Sequence, residues 1–514
     1  MLTRSFVVLA LCFASATYSA GQSSATTSKS RSHVERFSTP AARAERDEVE
    51  ANQKLATQPN DDVVLNMRAI ARMRLGRYSE SLDDLQRAVS LKPNKSEYHA
   101  NLGYVLWKLG RLNEAISAER AALKLDEKNF TAHYQLGRFL LRIGNDSDLD
   151  DTITHLKRAL ELDPRQYEVR FELIAAFRAR GDLAQAAVQL DVLQDARPTD
   201  ARVFYITGLL DADRNDLNAA VLNFNEALRR DQNLFGAWQD LGLAYMKGNH
   251  WSEAMQAFAE LAKRQQSSVE AAYLHALALY NSGKVTEAET EVRRALRLDV
   301  GAVEAHTLLG IILASLGRNN NEAADALMQA VALNPNSFDA QFYLGRVQYA
   351  LKDHEGAVRS LTAAVKLNAS HSEARFFLGT VLEAAGQSEA AFSVYTELIK
   401  KDPDSSMGQL GLGALLVKQG KTSEAIAALR RAVSLDPGSF EAQWALGRAL
   451  AIAEQLPDAV EAFTTAVSIE PYRADARYQL GLTLKRLGRT EEANREFAIV
   501  DRLNTEFRTN NRPE

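Results

Sequence analysis

Apolar residues in the stretch Ser406 to Pro437 fall into two helical runs, SMGQLGLGALLVK and SEAIAALRRAVSL, parted by the polar turn Gly420-Lys421-Thr422. The spacing predicts two short amphipathic helices joined by that turn. With Gly413 counted as the eighth residue of a unit, Ala425 and Ala432 stand at positions 20 and 27, and Pro437 stands at position 32. Small residues where helices cross let the backbones approach, and the proline stops the second helix. A hairpin this short cannot bury its own apolar face and needs neighbours.

The chain supplies them. From Asp62 onward the same positions recur in thirteen units, with position 8 running from Ala69 and Gly103 to Gly447 and Gly481, mostly 34 residues apart. Gly137 to Ile174 is 37 residues and Gly310 to Gly345 is 35, and both insertions fall in polar turns, Asn145 to Asp151 and Asn319 to Asn321. Insertions in turns leave the helical register intact. Ile174 replaces the small residue at position 8, and Leu193, Leu261, Leu398 and Val500 replace Ala at position 27, which predicts wider helix spacing in those units. The organisation reads as a signal peptide at 1–20, a flexible Ser/Thr-rich linker at 21–40, a capping helix at 41–61, the array at 62–507 and a polar tail at 508–514.

These units resemble the tetratricopeptide repeat, whose signature includes Leu-Gly in the first helix, Ala in the second and a closing Pro. The resemblance implies an all-α fold, a right-handed superhelical solenoid of helix-turn-helix units with first helices lining a concave face. It also implies that positions 2, 5, 9, 12 and 13 of the first helix face that concavity. Position 5 here carries aromatics, among them Tyr134, Tyr205, Tyr273, Phe342, Phe376, Trp444 and Tyr478. Position 9 reads Leu209, Leu243, Leu277 and Ile311 in four consecutive units, with Arg138, Arg346 and Arg448 elsewhere. Adding Met246 and Tyr280 at position 12 predicts an apolar contact strip of Tyr205, Leu209, Leu243, Met246, Tyr273, Leu277, Tyr280 and Ile311. The competing expectation is that the array covers this strip by packing on itself. The terminal-carboxylate clamp of the family is absent, because positions 5 and 9 of the first units read Asn66/Ile70, Ala100/Tyr104 and Tyr134/Arg138.

Composition narrows the function classes. The chain has 514 residues, 46% hydrophobic and 25% charged, with a formal net charge of −5. That balance offers no basic field for nucleic acid or anionic lipid. Arg4, the apolar run Phe6 to Ala16 and small residues at Ala14, Ala16, Ser19 and Ala20 read as an export signal. An uncleaved N-terminal anchor is the alternative. Cys12 is the sole cysteine and lies inside that segment, so the mature chain would have no disulfide, thiol nucleophile or cysteine-bound zinc.

Candidate chemistry is confined to near misses. Gly420-Lys421-Thr422 resembles the end of a phosphate loop, but Leu415 stands where its first glycine belongs. His354-Glu355 lacks a second histidine, since Val358 holds that place. His99, His133 and His306 share position 4 and His275 lies at position 7, which predicts packing roles rather than a metal site. Acidic residues at position 2, such as Glu304, Asp339 and Glu373, suit the positive end of the helix dipole. The expectation is therefore a non-enzymatic, exported scaffold without cofactor or metal, binding proteins or peptides on its concave face. A second reading is an envelope-assembly or polysaccharide-export accessory that recruits a membrane complex.

Overall fold

Thirteen helix pairs follow one another from Asp62–Arg74 and Tyr78–Leu91 to Ala474–Arg486 and Thr490–Asn510. A single helix, Pro40–Thr57, precedes them, with the Thr39 hydroxyl accepting from the Ala42 amide at its start. The computed structural model describes residues 39–510 apart from residue 318. The signal reading on 1–20, nearly all of the linker and the last residues of the tail lie outside the described residues. No strand occurs among the described residues, so the all-α solenoid architecture expected from the periodicity is the one observed.

The turns form where the polar clusters stand. Gly420 takes the left-handed conformation (φ 75°) between Ser406–Lys418 and Thr422–Leu435, so its Gly-Lys-Thr is the elbow of a helix pair. The three extra residues after Gly144 form a short 3-10 helix, Asp146–Asp148, between Phe130–Ile143 and Leu149–Leu162. The extra residue after Gly317 places Asn319 as a cap whose side chain accepts from the Glu322 amide. Caps of the same kind start many first helices, including Asp61, Asn129, Ser268, Ser337, Ser405 and Ser439.

The chain divides into two compact units, residues 1–264 and 265–514. Within each, a first helix packs on its own second helix, and each second helix packs on the first helix of the next pair. The core repeats a single contact, between the small residue at position 8 and the large side chain at position 24. A Cβ on Gly242 would stand 2.5 Å from the Phe258 ring, one on Gly310 2.4 Å from Leu327, and one on Gly447 2.7 Å from Phe463. Any side chain there must displace a buried neighbour, which costs about 1–3 kcal/mol. Alanines at positions 20 and 27, such as Ala115, Ala220, Ala425 and Ala432, are wholly buried. The larger Leu193, Leu261 and Leu398 at position 27 are buried as well.

One unit breaks this pattern. Position 24 of the second repeat is Glu119, 0% exposed, with neither carboxylate oxygen bonded. Burial alone holds its carboxyl well above the usual glutamate range. Glycine at position 8 makes room for it: a Cβ on Gly103 would lie 2.5 Å from Glu119 Oε1. Tyr395, the other polar-tipped residue at this position, instead donates its hydroxyl to Glu383 at 2.8 Å.

Replacing Glu119 with Leu is expected to stabilise the protein by about 1–3 kcal/mol at neutral pH. Because the folded carboxyl titrates high, its stabilising protonated form is fully present below the ordinary glutamate range and is lost as pH rises. The gain in thermal midpoint of Glu119→Leu over the native chain should therefore grow as pH is raised above that range. A gain independent of pH would contradict an unpaired carboxyl at this position.

Candidate functional site

The predicted strip is divided between the two units. In the first, Tyr205 and Leu209 sit on Ala201–Asp213, and Leu243 and Met246 on Phe235–Lys247. The Tyr205 hydroxyl donates to the Asp240 carboxylate at 2.6 Å, and its ring tilts against Phe224 at 5.9 Å. Gly236 gives that ring its place, since a Cβ there would meet the Tyr205 hydroxyl at 2.7 Å. Leu209 leans on the cluster of Ala220, Phe224 and Leu241, and it remains half-buried, as does Leu243. Met246 is 4% exposed and serves the interior.

In the second unit, Tyr273, Leu277 and Tyr280 sit on Val269–Asn281 and Ile311 on Val303–Leu316. Leu277 and Ile311 are 1% and 5% exposed. Successive first helices, Val269–Asn281, Val303–Leu316 and Phe338–Ala350, touch one another, and apolar side chains between them are taken up by packing. Met246, Leu277 and Ile311 therefore offer no surface to a ligand, which corrects the contact role expected for them. Tyr205, Leu209, Leu243, Tyr273 and Tyr280 keep part of their surface open.

Around Tyr273 the second unit gathers aromatics and acids. Burial pushes the Tyr273 hydroxyl up, and the Glu304 and Asp339 charges add to it. Asp339, the second residue of its helix, is raised to about 6 because its carboxyl is desolvated. Two helix turns on, Arg346 lies over the rings of Phe377 (4.8 Å), Phe342 (5.4 Å) and Tyr343 (5.6 Å), and 3.8 Å from Glu373. Phe338 stacks on Phe342 at 5.8 Å, and both face His371. The positions that expectation centred on, 5 and 9, supply Phe342 and Arg346. Tyr343 and Phe377 were missed because they stand at position 6, and the only signal for them is that each directly follows a position-5 aromatic.

The histidines have a common structural task. His99, His133 and His306 each bring Nε2 to the carbonyl six residues earlier, on Pro93 (2.9 Å), Glu127 (3.1 Å) and Val300 (3.0 Å). Trp238, Gln341 and Arg477 occupy the same position and donate to Gln232, Pro335 and Pro471. In most repeats position 4 thus carries a side chain with an N–H that ties the connecting turn to the helix after it, Leu65, Phe204 and Ala272 being the exceptions. His133 also meets His155 at 2.9 Å between Nδ1 atoms, and His155 faces Asp151 at 3.5 Å. Burial holds His155 below the usual histidine range. No group of three His, Cys, Asp or Glu placed to hold a metal occurs among the described residues.

The tetratricopeptide repeat model matches residues 66–130, 239–301, 273–321, 317–361, 353–406 and 410–476, more than half of the chain. A model described as the TT21 fifth ARM repeats domain matches residues 143–246. No curated protein sequence matches the chain. Among solved structures, the chain is similar to yeast Tom70, at 14% identity over 88% of this chain and 97% of that one, with a TM-score of 0.40. The APC/C Cut9-Hcn1 hetero-tetramer gives 14% identity over 86% and 94%, with a TM-score of 0.45. YrrB, described as a TPR protein with an unusual peptide-binding site, gives 23% identity over 37% of this chain and 96% of that one, with a TM-score of 0.33.

The raised Asp339 carboxyl carries a testable cost. Its stabilising form is the protonated one, present below the ordinary aspartate range and lost as pH rises through about 6. Asp339→Asn should raise stability by about 1 kcal/mol at pH above 7, after discounting for its partial exposure, and by little at acidic pH. Thermal melts at the two pH values decide it, and equal shifts would exclude a desolvated carboxyl.

Proposed function

Because the chain belongs to the tetratricopeptide repeat family, whose first helices succeed one another along an inner face, we propose that it is a non-enzymatic scaffold that holds segments of partner proteins on the inner faces of its two units. The observation that supports this is selective. Most apolar side chains on the first helices are buried, whereas Tyr205, Leu209 and Leu243 in one unit and Tyr273 and Tyr280 in the other are partly open on positions that lie in register from repeat to repeat. A helix or extended segment laid along such a row would bury those residues without moving the fold. The same reading places the protein outside the cytoplasm, on the strength of Arg4 and the apolar run after it.

Leu209→Glu together with Leu243→Glu should lose partners captured by affinity chromatography from a lysate, with circular dichroism and thermal midpoint close to the native chain. Equal capture by both proteins would overturn the role of this row. Residues 1–40 fused to alkaline phosphatase should give activity only when exported in a Gram-negative host. Phosphatase that stays inactive in the cytoplasm would refute the export reading.

A further inference from the structure

On the first helices of the second and third repeats two cations share one aromatic ring, a third follows one turn further along the same helix face, and one carboxylate lies among them. Lys108 ends the helix Ser96–Lys108, and Arg138 and Arg142 lie a turn apart on Phe130–Ile143. Lys108 Nζ stands 4.6 Å from the Trp107 ring centroid, 5.6 Å from Tyr104 and 6.0 Å from Tyr78. The Arg138 guanidinium lies 5.0 Å from Trp107 and 5.1 Å from Tyr134, and Trp107 in turn stacks on Phe139 at 5.4 Å. Arg138 is paired with Glu172 at 3.3 Å. Among the described residues neither Lys108 nor Arg142 has a hydrogen-bond or ion-pair partner.

We propose that this face binds an acidic peptide segment, with an Asp or Glu carboxylate held between Lys108 and Arg142 and apolar side chains bedded on Tyr104, Trp107 and Tyr134. The proposal rests on the reading of the inner faces as protein-binding surfaces. Its occupant follows from charge. Lys108 and Arg138 share the Trp107 ring and Arg142 stands one turn further on the same helix face, so three cations face the single Glu172 carboxylate. An incoming carboxylate offsets that excess of positive charge, while the Trp107 and Tyr104 rings keep the Lys108 ammonium oriented. With Glu172 already on Arg138, two free cations remain, which suits one or two carboxylates. A polyanion such as nucleic acid requires a broad basic field, and a chain of net charge −5 does not provide it. The aromatic bed between the cations favours a peptide, whose apolar side chains can use it, over a free inorganic anion.

The test uses the full chain and two fluorescein-labelled peptides, one alternating Leu and Glu and its counterpart alternating Leu and Lys, read by fluorescence polarisation. The Glu peptide is expected to bind, more weakly as salt is raised, and to lose roughly tenfold or more in affinity on Lys108→Glu with Arg142→Glu. Both side chains are exposed, so the melting profile should stay native; Lys108→Ala with Arg142→Ala, expected to give a smaller loss, guards against misfolding of the reversed variant. Unchanged affinity for the Glu peptide in both variants would overturn this site while leaving peptide binding by the protein intact. Absence of binding by the Glu peptide to the native chain, or equal binding of the Lys peptide, would overturn the site, whereas the scaffold reading is decided separately by the lysate capture.

Discussion

The contact between the small residue at position 8 and the large one at position 24 governs the rest of the structure. With a hydrogen in place of a side chain, the two helices of a pair close until Phe, Leu or Tyr rests on bare backbone, as at Gly242 and Phe258 or Gly379 and Tyr395. That closeness favours small residues at the crossing on either side, and Ala220, Ala254 and Ala425 are fully buried there, although position 27 also takes the buried Leu261 and Leu398. Dispersion and burial at this crossing stabilise each pair, and its repetition stabilises the array without a disulfide or a metal among the described residues. Glu119 shows how strict the constraint is: a carboxyl that fits the space is accepted there although it finds no partner.

Turns between pairs are held by polar chemistry of equal regularity. A short cap such as Ser337 accepts from the first turn of the helix, while the side chain at position 4 donates back to the carbonyl that ends the preceding turn. His, Gln, Arg and Trp interchange at position 4 because each offers an N–H at the end of a planar group. Histidine in this chain is therefore one solution to a bonding requirement, and its recurrence carries no implication of metal binding.

Against this uniform frame the inner faces differ. In the first unit the second and third repeats bring Lys108 and Arg138 onto Trp107, with Tyr134 also beneath Arg138. In the second unit, Tyr273, Glu304 and Asp339 lie beside the buried rings of Phe342 and Tyr343, with Arg346 drawn onto those rings. The residues on these faces that packing leaves partly open are where one array can come to recognise what another does not.

The sequence by itself determined the helix pairs, their number and their turns. Small residues at fixed offsets, prolines after second helices and insertions limited to Asn145 to Asp151 and Asn319 to Asn321 are local and periodic facts, and they need no knowledge of distant contacts. Exposure was not legible in the same way. Leu209 and Leu277 share position 9, yet one is half-buried and the other fully buried, because what covers a first-helix residue is the size and reach of side chains on adjacent helices. The pairing of His133 with His155, the orphaned Glu119 and the convergence of Lys108 with Arg138 on Trp107 arise in the same way. Each depends on residues brought together across helices, and only the tertiary structure sets those distances.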